Sequence, residues 1–145
     1  MTAKTGDRPR FHLAFPVDDL EAARRFYGEL LGCSEGRSST HWIDFDLHGH
    51  QIVAHLSTED CAAAKANAVD GKQVPVRHFG LLLDYDQFDA LAERFKRAGT
   101  EFLIDPYVRF EGQAGEQKTL FVKDPAGNAL EFKAFKDDAQ VFARG

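Results

Sequence analysis

Apolar positions in this chain follow two periods in turn, and the sequence of periods repeats. Residues 10–17 alternate, with Phe11, Leu13 and Phe15 on one face and His12 and Ala14 on the other, which predicts a strand. Asp18 or Asp19 can cap the helix that follows. Its apolar stripe is Leu20, Ala23, Phe26, Tyr27, Leu30 and Leu31, and Gly32 offers a left-handed stop. Short strands are predicted near 33–37, 42–47 and 50–56, the last two joined through a His48-Gly49-His50 turn. The order is βαβββ.

The order then returns. Residues 77–84 place Phe79, Leu81 and Leu83 on one face and His78, Gly80 and Leu82 on the other. Asp86 is the predicted cap of a helix that buries Phe88, Leu91, Ala92, Phe95 and Ala98 and stops at Gly99. Strands follow near 101–104, 118–123 and 129–135. The segment from Asp105 to Glu116 reads as a polar, glycine-containing insertion of the kind that shapes a site rather than a core. The predicted division is a mobile tail over 1–9, a first module over 10–56, an Ala-rich linker of some helical character over 57–76, a second module over 77–135 and a C-terminal tail over 136–145. The predicted class is α+β: two tandem βαβββ modules forming a half-open, eight-stranded barrel around one site.

The repeat duplicates chemistry as well as packing. Each module opens with a histidine on the face turned away from its helix, and the small residue two places on (Ala14, Gly80) leaves room beside the imidazole. In the tight turn and strand Asp124-Pro125-Ala126-Gly127-Asn128-Ala129-Leu130-Glu131-Phe132, alternation puts Leu130 and Phe132 toward the helix and Glu131 on the histidines' face. A carboxylate on a buried face needs a cation or a full set of donors. His12, His78 and Glu131 therefore form a two-His-one-carboxylate set of the kind that holds a divalent metal and leaves other positions open.

Composition narrows the field further. With 43% apolar and 28% charged residues the chain reads as an ordinary globular domain, and a formal net charge of −5 argues against nonspecific nucleic-acid binding. No apolar run is long enough to span a bilayer, and no signal-peptide pattern opens the sequence, which gives a cytoplasmic expectation. Cys33 and Cys61 lack metal-type spacing and read as reduced thiols. His41, His48 and His50 read as exposed turn or edge residues, and Trp42 as core. The Arg24-Arg25 and Lys96-Arg97 pairs read as solvated helix faces, and the thirteen phenylalanines as mostly packing.

On the paired modules, the Phe26-Tyr27-Gly28-Glu29-Leu30-Leu31-Gly32 segment and the Asp-Pro-Ala-Gly-Asn-Ala-Leu-Glu ending, the chain resembles the vicinal oxygen chelate superfamily over residues 10–135. That superfamily includes glyoxalase I, extradiol dioxygenases, fosfomycin-resistance enzymes and bleomycin-binding proteins. The resemblance implies metal ligands at His12, His78 and Glu131, a small-molecule substrate with vicinal oxygens and a homodimer. Glyoxalase I-like members take a fourth ligand from the last strand of the first module. Aligning Gly49 with Gly127 puts Val53 there, while Gln51 and His55 share its face and could reach the metal by a register slip.

A three-ligand site beside a further histidine resembles the extradiol dioxygenases, which makes His55 the acid/base candidate and Fe(II) the favoured metal over Mn(II), Ni(II) or Zn(II). Those enzymes carry a tyrosine where this chain has Phe121, a role that Tyr107 could take instead. Arg109, Glu116, Phe121 and Gln51 are the substrate-contact candidates. The expected activity is dioxygenase-like, with a glyoxalase I-type lyase or isomerase and a non-catalytic drug-binding protein as alternatives.

Overall fold

The computed structural model describes residues 8–61 and 66–144. In chain order the elements are β1 (His12–Val17), α1 (Leu20–Ala23, continued by a π-helix over Arg24–Leu30), β2 (Ser34–Ser38), β3 (Trp42–Leu47), β4 (His50–Leu56), β5 (Ala66–Val69), β6 (Lys72–Pro75), β7 (Phe79–Leu83), α2 (Tyr85–Arg97), β8 (Phe102–Arg109), β9 (Gln117–Lys123) and β10 (Ala129–Phe135). Two sheets have the same internal order, β1-β4-β3-β2 and β7-β10-β9-β8, and β5-β6 is a separate two-stranded sheet. In each four-stranded sheet the first and last strands of the module run parallel and the others antiparallel. The expected βαβββ repeat is thus the observed one. Contacts divide the chain into two units, the first holding β1–β4, α1 and the Asp124–Asn128 turn, the second holding the remaining strands and α2. No helix among the described residues is long and apolar enough to cross a membrane.

The first unit buries Phe15, Val17, Ile43, Phe45, Ile52 and Ala54 from its sheet against Ala23, Phe26 and Tyr27 of the helix. The helix departs from the predicted α-helical period. Asp19 caps it, accepting from the Ala22 amide, but over Arg24–Leu30 the turn widens, and the Leu31 amide donates to the Phe26 carbonyl five residues back at 2.9 Å. An extra residue per turn lets the neighbours Phe26 and Tyr27 both face inward, their rings 4.9 Å apart and edge to face. Tyr27 is wholly buried, and its hydroxyl donates to Asp124 Oδ2 at 2.7 Å. Asp124 also accepts from the Ala126 and Asn128 amides and from Asn128 Nδ2, which donates in addition to the Pro16 carbonyl. This net ties the predicted tight turn to β1 and the helix, with Gly127 at φ +93°.

The second unit packs Phe88, Ala92 and Phe95 of α2 on Leu120, Val122, Leu130, Phe132 and Ala134. Four expectations change here. The cap of α2 is Asp84, not Asp86: Asp84 accepts from the Gln87 amide while Gln87 Oε1 accepts from the Asp84 amide, a closed capping box. The predicted helical linker is a hairpin over 66–75, turned by Asp70 at φ +51° and Gly71 at φ +74°, and part of its Ala-rich stretch lies outside the described residues. The predicted insertion is a strand as far as Arg109, so the loop proper is 110–116. Pro106 fits there because β8 is an edge strand of its sheet, with no neighbour on one side among the described residues. Fourth, Gly80 does not leave a vacancy for a pocket: a Cβ at that position would overlap the carbonyl oxygen of Glu131, so glycine permits the close approach of β7 to β10.

Phe11, expected on the buried face of the first strand, is 62% exposed and precedes β1. The tail predicted over 1–9 falls mostly outside the described residues.

Candidate functional site

Each four-stranded sheet has one face on its helix and the other turned away. In the second unit the open face carries Glu131 of β10, with Gly80 and Phe121 as its register partners on either side. His78 sits in the bend just before β7, and its Nε2 lies 3.2 Å from Glu131 Oε1; the two side chains are 28% and 18% exposed. The Phe121 ring meets the imidazole edge to face at 5.1 Å. Thr119, two residues along β9 on the same face, donates its hydroxyl to Glu131 Oε2 at 2.6 Å. One carboxylate oxygen is thereby held by a neutral donor, and the other is turned to the imidazole.

The tautomer of His78 follows from its second contact. Nδ1 is 2.7 Å from the Pro75 carbonyl oxygen, which can only accept, so Nδ1 carries the hydrogen. In the neutral ring, Nε2 then presents a lone pair to a carboxylate oxygen. Two acceptors at that distance repel unless a cation lies between them, and the cation is either a proton or a metal ion. Protonation acts in the same direction: the hydrogen bond to Glu131 raises the His78 pKa against the opposing effect of burial. Burial pushes Glu131 upward, but the hydrogen bonds from His78 and Thr119 outweigh it and leave the group below its ordinary value. The sequence offered no cation aimed at Glu131; the structure supplies His78.

The first unit presents His12 in the same way. Its Nδ1 lies 2.7 Å from Gln51 Oε1, and Gln51 Nε2 lies 3.4 Å from Asp44 Oδ2. Because the Asp44 carboxylate accepts only, the amide nitrogen of Gln51 belongs on its side and the amide oxygen on the His12 side. Nδ1 of His12 is the donor, and Nε2 is again the nitrogen left for a ligand. Gln51, expected to touch substrate, orients His12. The partners of the two imidazole Nδ1 atoms, a side-chain amide and a backbone carbonyl, are of the type that fixes metal-ligating histidines.

Strand register shows which residue of the first sheet is equivalent to Glu131. Val53 pairs with Ala14, two residues beyond His12; Glu131 pairs with Gly80, two residues beyond His78. Valine therefore stands in the first sheet where the carboxylate stands in the second, as the glycine alignment predicts. Val53 is buried, whereas His55, two residues further on, is exposed and pairs with Pro16 and Trp42. Trp42, expected in the core, is half-buried on this face, with the Arg37 guanidinium 6.0 Å from its ring. A cavity of about 390 Å³ opens beside these strands, lined by Arg10, Arg37, Asp44, Asp46 and Gln51 among others. Among the described residues, no group of three or more His, Cys, Asp or Glu side chains is gathered closely enough to hold a metal by itself. His12 belongs to the first unit, and His78 and Glu131 to the second.

The remaining candidates sit on or near β8. Tyr107 pairs with Thr119, and its hydroxyl donates to Asp70 Oδ2 at 3.0 Å. Arg109 Nε donates to the same oxygen at 2.6 Å. Glu116 accepts from the Gly112 amide at 2.8 Å and from the Tyr85 hydroxyl at 2.7 Å, with Lys136 Nζ at 3.9 Å, so its carboxylate clips the 110–116 loop. Sequence reasoning did not single out Thr119, Asp44, Pro75 or Asp70. Alternation on β9 puts Thr119 on the face of Phe121 and could have found it; the others depend on strand pairing.

Comparison with known proteins bears on the fold and the family. The sequence model of the Glyoxalase/Bleomycin resistance protein/Dioxygenase superfamily matches residues 11–132. A glyoxalase/bleomycin resistance protein/dioxygenase from Alicyclobacillus acidocaldarius is 35% identical, with a TM-score of 0.78 over 96% of this chain and 100% of that one. The fosfomycin resistance protein FosX of Listeria monocytogenes (18% identity, TM-score 0.67, 88% of this chain and 93% of that one) shares the fold. So does a lactoylglutathione lyase from Agrobacterium tumefaciens (19%, 0.66, 97% and 100%).

Proposed function

Because this chain belongs to the glyoxalase/bleomycin resistance protein/dioxygenase superfamily, we propose that it is a metal-dependent, dioxygenase-like enzyme acting on a small substrate with vicinal oxygens. His12, His78 and Glu131 would hold the divalent metal, Fe(II) by preference. The observation that carries this reading is the His78–Glu131 pair, whose 3.2 Å separation and fixed Nδ1 hydrogen call for a cation between the two acceptors. When bound, the metal supplies Lewis acidity and, as Fe(II), one-electron chemistry.

The chain's own residues divide the remaining work. Gln51 and Thr119 hold His12 and Glu131 in the ligating orientation. His55 is the proton carrier, with Tyr107, on the open face of the other sheet, as the second catalytic residue. Phe121 gives the substrate an apolar wall beside His78, and Arg109 an ionic contact. Val53 in place of a fourth ligand supports an open site, hence oxygen chemistry over isomerisation. The reading includes a homodimer in the cytoplasm.

Anaerobic reconstitution with Fe(II), Mn(II), Ni(II) or Zn(II), followed by oxygen-uptake assays against catechols and hydroxy acids, tests it. Oxygen consumption with Fe(II), lost in Glu131→Ala and His55→Ala, is the expected result. Isomerisation of a hemithioacetal with Ni(II) or Zn(II), and no oxygen uptake with iron, would replace this reading with a glyoxalase one. A protein that holds no divalent metal, and whose His78→Ala variant binds small molecules unchanged, is a binding protein.

A further inference from the structure

The β5–β6 hairpin forms its own two-stranded sheet and is largely exposed, and an isolated hairpin of that size has little stability of its own. Its tip, however, is fastened. Asp70, held at φ +51° beside Gly71, puts one carboxylate oxygen against Arg109 Nε and the Tyr107 hydroxyl together, at 2.6 and 3.0 Å. Lys72, from the same hairpin, places its ammonium 4.4 Å from the Tyr107 ring centre. A guanidinium and a phenol thus donate to a single carboxylate oxygen, and an ammonium lies over the phenol ring. Asp70 brings one formal negative charge to the two positive charges of Arg109 and Lys72.

The location of the cluster is what gives it a use. Tyr107 pairs across β8 and β9 with Thr119, whose hydroxyl holds Glu131, and Arg109 lies two residues further along the same strand. Both therefore alternate onto the face that carries the His78–Glu131 pair. A substrate whose reacting oxygens lie at that pair, with an anionic group at its other end, meets Arg109 and Tyr107 there. Asp70 engages Arg109 through one oxygen and one nitrogen, whereas an oxyanion with two or three equivalent oxygens can take a guanidinium bidentately. Asp70 is 39% exposed, and an ion pair so placed holds weakly enough to exchange.

We propose that Arg109, Tyr107 and Lys72 are a recognition point for an anionic group, a carboxylate or a phosphonate, on the substrate. Asp70 is the internal anion that occupies the point and holds the hairpin down until the substrate's own anion replaces it. This deepens the functional reading above and rests on it for the identity of the open face as the substrate face. The substrate class becomes a small molecule with vicinal oxygens and an acidic group at a distance from them.

The test uses the full chain, with acetate and methylphosphonate as probes, at low ionic strength, in chelator and again after Zn(II) loading. Calorimetry measures anion affinity, and the amide resonances of residues 66–75 report the hairpin. Asp70→Asn keeps a residue suited to the turn and removes the competing charge, so it is expected to bind one of the probes about fivefold more tightly than the parent. Arg109→Ala is expected to abolish binding in either background, and saturating anion is expected to move the parent's hairpin resonances toward those of Asp70→Asn. A preference for acetate or for methylphosphonate identifies the acidic group.

Equal affinities in the parent and Asp70→Asn, binding that survives Arg109→Ala, or no binding in any variant overturns the proposal. Exchange that occurs in a protein unable to retain metal leaves the recognition point standing and removes the metal-enzyme reading. Retained metal without exchange does the reverse.

Discussion

Gly80 and Thr119 act on the same residue, Glu131, one at its main chain and the other at its carboxylate, and their substitutions should hurt in different ways. A methyl group at Gly80 meets the carbonyl oxygen of Glu131, so Gly80→Ala must push β7 away from β10. The expected loss is about 2–3 kcal/mol of stability by denaturant titration, the range of an overpacked interior, with metal binding lost as Glu131 moves. Thr119→Val keeps shape and volume but removes the hydroxyl on Glu131 Oε2. Its fold should survive, with metal affinity weaker by roughly 10–100-fold in calorimetric titration, and Thr119→Ser should restore most of it. If Thr119→Val binds metal as the parent does, Glu131 is oriented without its neighbour and the donor at Oε2 is incidental. Gln51→Leu makes the corresponding test at His12: the imidazole nitrogen-15 spectrum should lose its fixed Nδ1–H form.

At the scale of elements, one carboxylate ties the 110–116 loop to α2. The Gly112 amide and the Tyr85 hydroxyl hold Glu116 below the usual glutamate value of 4.5. A carboxylate whose pKa is lowered by folding gives its full contribution above the ordinary value and loses it as pH falls through the lowered one. The Gly112 amide resonance should thus be flat above about pH 5 and move with a midpoint below 4.5, and Glu116→Gln should remove the transition. A midpoint at or above 4.5 would mean that the clip is not formed in solution.

Elements defined by their own residues were legible in the sequence. Asp19, Gly32 and Gly99 bound the helices as their chemistry requires, and period-two alternation assigned Glu131 to the face opposite Leu130 and Phe132. What failed did so for local reasons. Alanines between 62 and 68 suggested a helix and outweighed Asp70-Gly71, a strong hairpin signal. The polar, glycine-containing stretch from Asp105 read as an insertion because a lone sequence does not say which strand is at an edge. The π-helical turn escaped because Phe26, Tyr27 and Leu30 fit a helical stripe with or without an added residue per turn. The contacts of Gln51 with His12 and of Asp70 with Arg109 join positions far apart in the chain, and no spacing rule reaches them.

For the whole molecule, metal should act as a stabiliser through mass action. A ligand that binds only the folded chain adds about 2.7 kcal/mol at a free concentration one hundred times its Kd. Thermal unfolding with and without Zn(II) should therefore show a clear rise in Tm, absent in His78→Ala and in Glu131→Ala. A Tm indifferent to every divalent metal tried would remove the metal from the account of this protein.

The turn from Asp124 to Asn128 has its place in the first unit, although it is encoded far beyond it. Sequence repetition suggests that either half could be cut free and kept. A shortened gene ending after the first repeat would encode Tyr27 with its hydroxyl in the interior and no Asp124 to receive it, and Pro16 without Asn128. One stranded buried hydroxyl costs about 1–3 kcal/mol, a large share of what a small module has to spare. The halves are alike in plan but not separable in practice, and attempts to build half-length or shuffled versions should graft this turn along with the first repeat.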